Sequence, residues 1–86
     1  MDVKPSFSLK IKFDSTKEAK VVYESIFLEH LDSQIKSKCV MKLEGDTLYL
    51  EGAADELSIL KASVYSYLRW IKVAENIYNL TRNENK

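Results

Sequence analysis

The stretch MKLEGDTLYL, residues 41–50, decides the fold. Apolar and polar residues alternate on both sides of Gly45-Asp46, a pattern typical of two half-buried strands joined by a tight turn in which glycine adopts positive φ. A two-residue turn here brings apolar side chains together on one face, so that pattern and register agree. The expected cross-strand pairs are Leu43 with Leu48, Met41 with Leu50 and, on the opposite face, Lys42 with Tyr49. The stretch therefore predicts a β-hairpin with one apolar face.

Strict alternation extends this hairpin and marks a further strand near the start of the chain. In residues 35–44 the side chains expected to face the core are Ile35, Cys39, Met41 and Leu43, and those expected to face solvent are Lys36, Lys38, Val40 and Lys42. In residues 7–13 one face is Phe7, Leu9, Ile11 and Phe13, and the other is Ser8, Lys10 and Lys12. This spacing predicts half-buried strands.

A helix is expected between the first two strands. Ser15 and Glu18 fit the capping box, in which each side chain bonds an unsatisfied backbone N–H group at a helix start. The apolar positions that follow recur at helical spacing, and they are Ala19, Val22, Tyr23, Ile26, Phe27 and His30. We predict a helix from Thr16 to His30.

The last segment predicts a long helix, because neither Gly nor Pro interrupts the chain after Ala54. Asp55 and Glu56 would place acidic groups in its first turn, where the helix dipole favours them. We predict a helix from Asp55 to Leu80, followed by a polar tail, residues 81–86, that frays.

The predicted element order is β-α-β-β-α. If the third strand lies between the other two, every neighbouring pair is antiparallel. We therefore predict an α+β fold with a three-stranded antiparallel sheet in the order 1-3-2 and two helices packed on one face. The chain of 86 residues is expected to form a single domain over residues 1–86, with its core in residues 7–80.

The predicted long helix is apolar on two sides. At about 100° per residue, the stripe expected to face the core is Leu57, Leu60, Val64, Leu68, Ile71 and Tyr78. A second stripe, on nearly the opposite side, is Ile59, Ala62, Ser66, Trp70, Val73 and Ile77. The polar band between them is Lys61, Tyr65, Arg69, Lys72 and Asn76.

The second stripe predicts a surface for a partner. A surface helix of a monomer ordinarily carries one apolar stripe, and Trp is enriched where interfaces gain most of their energy. Val21 and Leu28 likewise lie opposite the core face of the first helix. The partner-binding candidates are Val21, Leu28, Ile59, Ala62, Ser66, Trp70, Val73 and Ile77. The alternative is that these are the scattered exposed apolar residues found on any soluble protein.

The charges balance but are unevenly placed. There are 13 Lys and Arg against 13 Asp and Glu, which excludes a strongly basic arm and an acidic tail. Lysines gather on the outer sheet face around Tyr49. The candidates for phosphate contacts with a nucleic acid are Lys10, Lys12, Lys36, Lys38, Lys42 and Arg69. The alternative is that the lysines keep an exposed sheet soluble and its edges unpaired. With Tyr49 alone for stacking, this face is not expected to read bases by itself.

Residues that could carry chemistry are few. The single Cys and single His exclude an internal disulfide and a histidine-rich metal site. Cys39 is expected to be a buried, inert thiol. His30 is expected to pack near the end of the first helix, where the dipole favours a cation. No motif supports a nucleophile–base pair of these two residues, and no Gly-rich phosphate loop, HExxH or CxxC occurs. We expect no enzyme, no catalytic residue, no cofactor and no metal.

No signal peptide and no membrane-spanning run is visible, because a span needs about 18 apolar residues. We expect a protein of the cytoplasm, or of the nucleus in a eukaryotic cell. Neither a membrane nor a small-molecule substrate is expected among its partners.

The segment LKASVYSYLRWI, residues 60–71, preceded by Ala53-Ala54-Asp55, resembles the signature helix of the small Pcc-type (CTAG/Pcc family) subunit of the KEOPS complex. Phe13-Asp14-Ser15 followed by Glu18-Ala19 fits the first strand and helix of that family. The resemblance covers residues 7–71, which is most of the chain.

The resemblance has one notable departure. The long helix of the family usually reads close to L-R-A-x-x-N-S-x-L-R. Lys61 keeps the charge of the first Arg, whereas Tyr65 stands where Asn is usual. The chain therefore resembles either the main subunit or a divergent paralogue of it.

The resemblance implies a non-catalytic role. KEOPS installs N6-threonylcarbamoyl on the adenosine beside the anticodon of ANN-decoding tRNAs, through an ATP- and metal-dependent transferase subunit, a kinase-like ATPase and a further tRNA-binding subunit. A Pcc-type subunit dimerises, packs its helices on helices of the transferase and helps to hold the tRNA. The implied partners are thus the catalytic transferase subunit, a second copy or a paralogue, and tRNA within the complex.

One alternative function stays open, and a second is disfavoured by the sequence. A free-standing RNA- or DNA-binding α/β module would bind tRNA alone, with an affinity that falls steeply with salt. An acylphosphatase-like enzyme would need a catalytic Arg in a Gly-containing loop before the first helix, and residues 14–17 offer no such loop.

Overall fold

The computed structural model describes residues 4–34 and 37–84. The elements are β1 (Ser6–Lys12), α1 (Thr16–Asp32), β2 (Ser37–Glu44), β3 (Thr47–Ala54) and α2 (Leu57–Glu84). The strands form one antiparallel sheet in the order β1-β3-β2, and both helices pack on its apolar face. The predicted α+β fold and strand order are confirmed. The orientations predicted for Ile35 and Lys36 fall on residues outside those described.

The β2–β3 hairpin has the predicted register. Leu43 pairs with Leu48 and Lys42 with Tyr49, and Met41 is opposite Leu50. Gly45 has a φ of 58°, which suits glycine at the first central position of a two-residue hairpin turn. The backbone N–H of Phe13 donates to the carbonyl of Asp46 at 2.8 Å, so the turn is also tied to the end of β1.

The N-terminus of α1 is capped by Ser15, as predicted. Its Oγ accepts the backbone N–H of Glu18 at 3.1 Å. The carboxylate of Glu18 returns not to the N–H of Ser15 but to that of Asp14, at 3.2 Å. The capping box is therefore closed one residue earlier than expected. At the other end, α1 continues past His30 to Asp32.

The ends of α2 differ from the prediction. The helix begins at Leu57, and no acidic residue lies in its first turn. Asp55 and Glu56 precede it, because β3 continues through Ala54, whose N–H donates to the carbonyl of Pro5 at 3.1 Å. The helix also runs beyond Leu80 to Glu84, so the predicted frayed tail is wrong for residues 81–84. Asn85 and Lys86 lie outside the described residues.

The buried face of α2 lies between the two predicted stripes. Leu57 and Leu68 were expected in the core but are 56% and 44% exposed. Tyr67, by contrast, is 1% exposed. The reason is that α2 packs against α1 as well as against the sheet, which turns its buried arc towards α1. Over residues 57–81 of α2, the buried side chains are Leu60, Tyr67, Ile71 and Ala74, and they meet Ala19, Val22, Ile26, Met41, Leu48 and Leu50 from the rest of the core.

Candidate docking groove

A groove of about 280 Å³ lies between α1 and α2. The residues that line it are Ser25, Ile26 and Glu29 from α1, and Arg69, Trp70, Val73, Ala74 and Ile77 from α2. The middle of the groove is apolar, and its lining also includes the charged side chains of Glu29 and Arg69. We call this surface the docking groove.

Helical spacing explains the α2 wall of the docking groove. Trp70, Val73 and Ile77 are separated by three and four residues, so they stand one above the other on one side of the helix. Val73 is 50% exposed and Ile77 is 59% exposed. Trp70 is half-buried and packs against the core. An aromatic side chain flanked by exposed aliphatic ones has the composition of an interface centre.

The structure brings together three of the predicted partner residues and separates the others from them. Trp70, Val73 and Ile77 share the docking groove. The predicted residues that do not line it are Val21, Leu28, Ile59, Ala62 and Ser66. Val21 is half-buried one helical turn before Ser25, and Leu28 is 71% exposed.

The α1 wall of the groove was not predicted from the sequence. No partner contact was predicted for Ser25, Ile26 and Glu29, because the periodicity of α1 does not reveal which side of the helix meets α2. Arg69 was expected to contact nucleic acid with the lysines, but it lines the docking groove on a helix that covers the opposite face of the sheet.

The outer face of the sheet carries the predicted lysines. Lys10 and Lys42 flank Tyr49 across the three strands, and the Lys10 Nζ atom lies 5.9 Å from the centroid of the Tyr49 ring. Lys42 Nζ forms an exposed ion pair with Glu44 at 2.7 Å, and this hydrogen bond is the main reason that the pKa of Lys42 is raised. Lys12 is also exposed. The charge of this face is thus partly neutralised by its own carboxylates.

Lys38 contacts the connection between α1 and β2. It is exposed, and its Nζ donates to the backbone carbonyl of Gln34 at 3.0 Å. Beside it, a shallow depression of about 520 Å³ crosses the sheet and includes Glu51, an acid that would oppose phosphate binding there. Lys36 lies outside the described residues.

A buried polar cluster joins the end of α1 to α2. We define it as His30, Gln34, Cys39 and Tyr67. Nδ1 of His30 lies 2.5 Å from the Tyr67 hydroxyl. Gln34 Nε2 donates to that hydroxyl at 3.2 Å and to the His30 carbonyl at 2.8 Å. Gln34 Oε1 accepts the backbone N–H of Cys39 at 2.7 Å.

Titration in this buried polar cluster is governed by burial. His30 is packed, as predicted, with 8% of its surface exposed. Burial lowers the pKa of His30, so its charged form is disfavoured although it lies near the C-terminal end of α1. Burial is also the main reason that the pKa of Tyr67 is raised. Cys39 is buried as predicted.

The two residues that sequence reasoning missed in the buried polar cluster are Gln34 and Tyr67. A signal for Tyr67 exists in the spacing of Leu60, Val64, Tyr67, Ile71 and Ala74, which follows one side of a helix. Gln34 lies in the connection from α1 to β2, where periodicity gives no signal.

Within residues 4–34 and 37–84, no group of three His, Cys, Asp or Glu side chains is placed to hold a metal ion. Neither α1 nor the described length of α2 is both long and apolar enough to cross a membrane.

Comparison with known proteins identifies the family. A family model described as "Transcription factor Pcc1" matches residues 6–79. The protein "KEOPS complex subunit Pcc1" of Pyrococcus abyssi (strain GE5 / Orsay) is 39% identical over 71 residues, which are 81% of this chain and 87% of that protein. A chain of "Crystal structure of binary complex Gon7-Pcc1" has the same fold, with a TM-score of 0.78 and 14% identity over 90% of this chain and 95% of that one. The chain belongs to the Pcc1 family.

Proposed function

We propose that this chain is a non-catalytic scaffold and dimerisation subunit of a KEOPS complex, which makes N6-threonylcarbamoyladenosine in tRNA. The 39% identity to a KEOPS subunit over most of both chains supports this role. The burial of the polar cluster also supports it. His30, Cys39 and Tyr67 are each less than a tenth exposed, so the groups best suited to acid–base chemistry lie inside the core. We expect the protein in the cytoplasm, or in the nucleus of a eukaryotic cell.

The observation that carries the proposal is the docking groove. Trp70, Val73 and Ile77 present apolar surface beside α1, although the described chain has a core of its own. A helix of a partner would bury this surface and gain the hydrophobic free energy that a small domain lacks. We assign the docking groove to helices of the catalytic transferase subunit.

Co-expression with that catalytic subunit tests the assignment. Val73→Asp combined with Ile77→Asp places two carboxylates in the apolar middle of the groove, and we expect it to abolish co-purification. Leu31→Asp is the control, because Leu31 is an exposed apolar residue of α1 that lies outside the groove and outside the surface of α2 assigned to the dimer below. Retention of the catalytic subunit by the double variant would refute the assignment.

The dimer is assigned to a sheet edge and to the part of α2 outside the groove. In the described part of the chain, β1 and β2 each pair with β3 alone, so each leaves one edge open for pairing with a second copy. Leu57 and Leu68 are exposed on α2 and do not line the docking groove. Covering them in the dimer would explain why two separate sides of α2 are apolar.

The mass of the complex in solution tests the dimer independently of the groove. Light scattering after size-exclusion chromatography should give two copies of this chain per particle. Presence of a related chain in place of the second copy would indicate a heterodimer with a paralogue. A particle with one copy and no paralogue would refute dimerisation.

A second candidate function is a free-standing module that binds RNA or DNA. The observation that favours it is the row of Lys10, Tyr49 and Lys42 on the outer sheet face. The attraction of this face for phosphate groups is reduced by the Lys42–Glu44 ion pair and by the carboxylate of Glu51. A module of this kind would bind tRNA alone and lose affinity steeply as salt rises. We propose instead that any tRNA contact by this face is made within the complex, and expect weak binding by the isolated chain.

A further inference from the structure

Trp70 links the docking groove to the buried polar cluster. Its ring meets Tyr67 edge-on, with centroids 5.1 Å apart and an angle of 71° between the ring planes. The hydroxyl of Tyr67 in turn contacts Nδ1 of His30 on α1. A continuous path of contacts therefore runs from the end of α1, through the core, to the wall of the groove.

We propose that the hydrogen bond between Tyr67 and His30 positions Trp70 and so sets the shape of the docking groove. Tyr67 is 1% exposed, and a closely packed interior leaves such a ring little room to turn. The hydrogen bond of the Tyr67 hydroxyl fixes the orientation of the Tyr67 ring. The Trp70 ring, which packs edge-on against it, then has a preferred position. Trp70 follows Tyr67 by three residues on the same side of α2. A change in the position of the Tyr67 ring is therefore expected to move the ring of Trp70.

The donors and acceptors of the cluster are best matched when Nδ1 of His30 carries no proton. Gln34 Nε2 already donates to the Tyr67 oxygen, and the proton of Tyr67 is then best accepted by an unprotonated Nδ1. A proton on Nδ1 would bring a second donor to that oxygen. The Tyr67 proton would have to turn elsewhere, for example to Ser33 Oγ at 3.4 Å. Among the described residues, the titratable members of the cluster that come from elements other than α1 are Tyr67 on α2 and Cys39 on β2.

Fluorescence of the protein alone tests this positioning role, because Trp70 is the single Trp of the chain. Tyr67→Phe keeps the ring and removes the hydroxyl. We expect its emission to shift to longer wavelength and its iodide quenching constant to rise. Tyr23→Phe makes the same chemical change at a half-buried position of α1 outside the cluster and should match wild type. A wild-type spectrum and quenching constant in folded Tyr67→Phe would overturn the proposal.

A pH titration gives a second readout that does not depend on the folding of Tyr67→Phe. Wild-type emission should shift in one transition below the ordinary histidine pKa of about 6.5, while the far-ultraviolet circular dichroism stays helical. His30→Asn offers an amide oxygen as the acceptor but cannot titrate. It should keep the wild-type spectrum at neutral pH and lose the transition. A missing transition in wild type, or a transition that persists in His30→Asn, would overturn the proposal.

The consequence for affinity rests on the proposed docking function. We expect Tyr67→Phe to bind the catalytic subunit about threefold to tenfold more weakly, the range of one ordinary hydrogen bond. Normal binding of the catalytic subunit by Trp70→Ala would refute the docking role of the groove. The positioning role of the Tyr67–His30 hydrogen bond would then be decided by the fluorescence result. Lost binding by Trp70→Ala, with wild-type affinity and fluorescence in Tyr67→Phe, would refute the positioning role alone.

Discussion

The ring of Phe7 occupies the space above Gly52, its partner across β1 and β3. A Cβ atom at position 52 would overlap Cε1 of Phe7 and would lie 2.7 Å from Sγ of Cys39. Glycine is required here by the close approach of two neighbours and not by its φ angle. An aromatic ring that covers a strand glycine also supplies the apolar surface that the glycine lacks.

Gly52→Ala is therefore expected to lower the free energy of unfolding by about 1–3 kcal/mol, because overpacking forces side chains and backbone to shift. Urea unfolding followed by circular dichroism measures the change. Phe7→Leu in the Gly52→Ala background should recover part of the loss, which a double-mutant cycle would report as a coupling energy. Wild-type stability in Gly52→Ala would contradict this account of the site.

Loss of the α1 cap gives a second prediction. Ser15 Oγ satisfies the backbone N–H of Glu18, so Ser15→Ala leaves that donor without its partner. We expect a loss of about 0.5–2 kcal/mol in the free energy of unfolding. Ser25→Ala is a suitable control, since Ser25 Oγ donates to the carbonyl of Val21 on an exposed part of α1. The control should change stability by less than about 0.5 kcal/mol. Equal effects of the two variants would argue against a capping role.

The hairpin could be predicted because its determinants are local. The glycine turn fixes which residue of β2 meets which residue of β3, and alternation fixes the face that is buried. Leu43 and Leu48 therefore pair as expected. The start of α1 was predicted for the same reason, since Ser15 and Glu18 meet within one turn of the chain.

The rotation of α2 could not be predicted, because it depends on where α1 lies. Two apolar stripes were visible, but a sequence does not tell which angles α1 and the sheet will cover. Tyr67 was consequently missed and Leu68 was wrongly placed in the core. The same limitation applies to the docking groove, for which Trp70, Val73 and Ile77 were predicted while its α1 wall was not. Gln34 reaches Tyr67 across 33 positions of the chain, a separation at which periodicity carries no information.

Acid is expected to destabilise the fold through His30. Burial lowers the pKa of His30 in the folded state, so the unfolded chain takes up this proton first as pH falls. Above about pH 6.5 His30 is neutral in both states and does not reduce the free energy of unfolding. As pH falls from there through the folded-state pKa, the free energy of unfolding decreases. Urea unfolding of wild type and His30→Asn over this range should show that the variant lacks this loss. If the free energies of unfolding of wild type and His30→Asn changed in parallel with pH, the assignment to His30 would be contradicted.

Glu75 is expected to have the opposite effect. It is half-buried on α2, and burial, followed by the negative charge of Glu18, raises its pKa, although Lys72 opposes the shift. The ionised carboxylate is thus less favourable in the folded chain than in the unfolded chain, and this cost disappears as pH falls through the raised pKa to the unfolded value. Glu75→Gln should therefore unfold at a higher urea concentration than wild type at neutral pH, and the difference should close in acid. Glu24→Gln, at an exposed position of α1, should track wild type within about 0.5 kcal/mol throughout. If Glu75→Gln were less stable than wild type at neutral pH, the carboxylate would have to be held by a favourable contact with Lys72 that outweighs both its burial and its repulsion by Glu18.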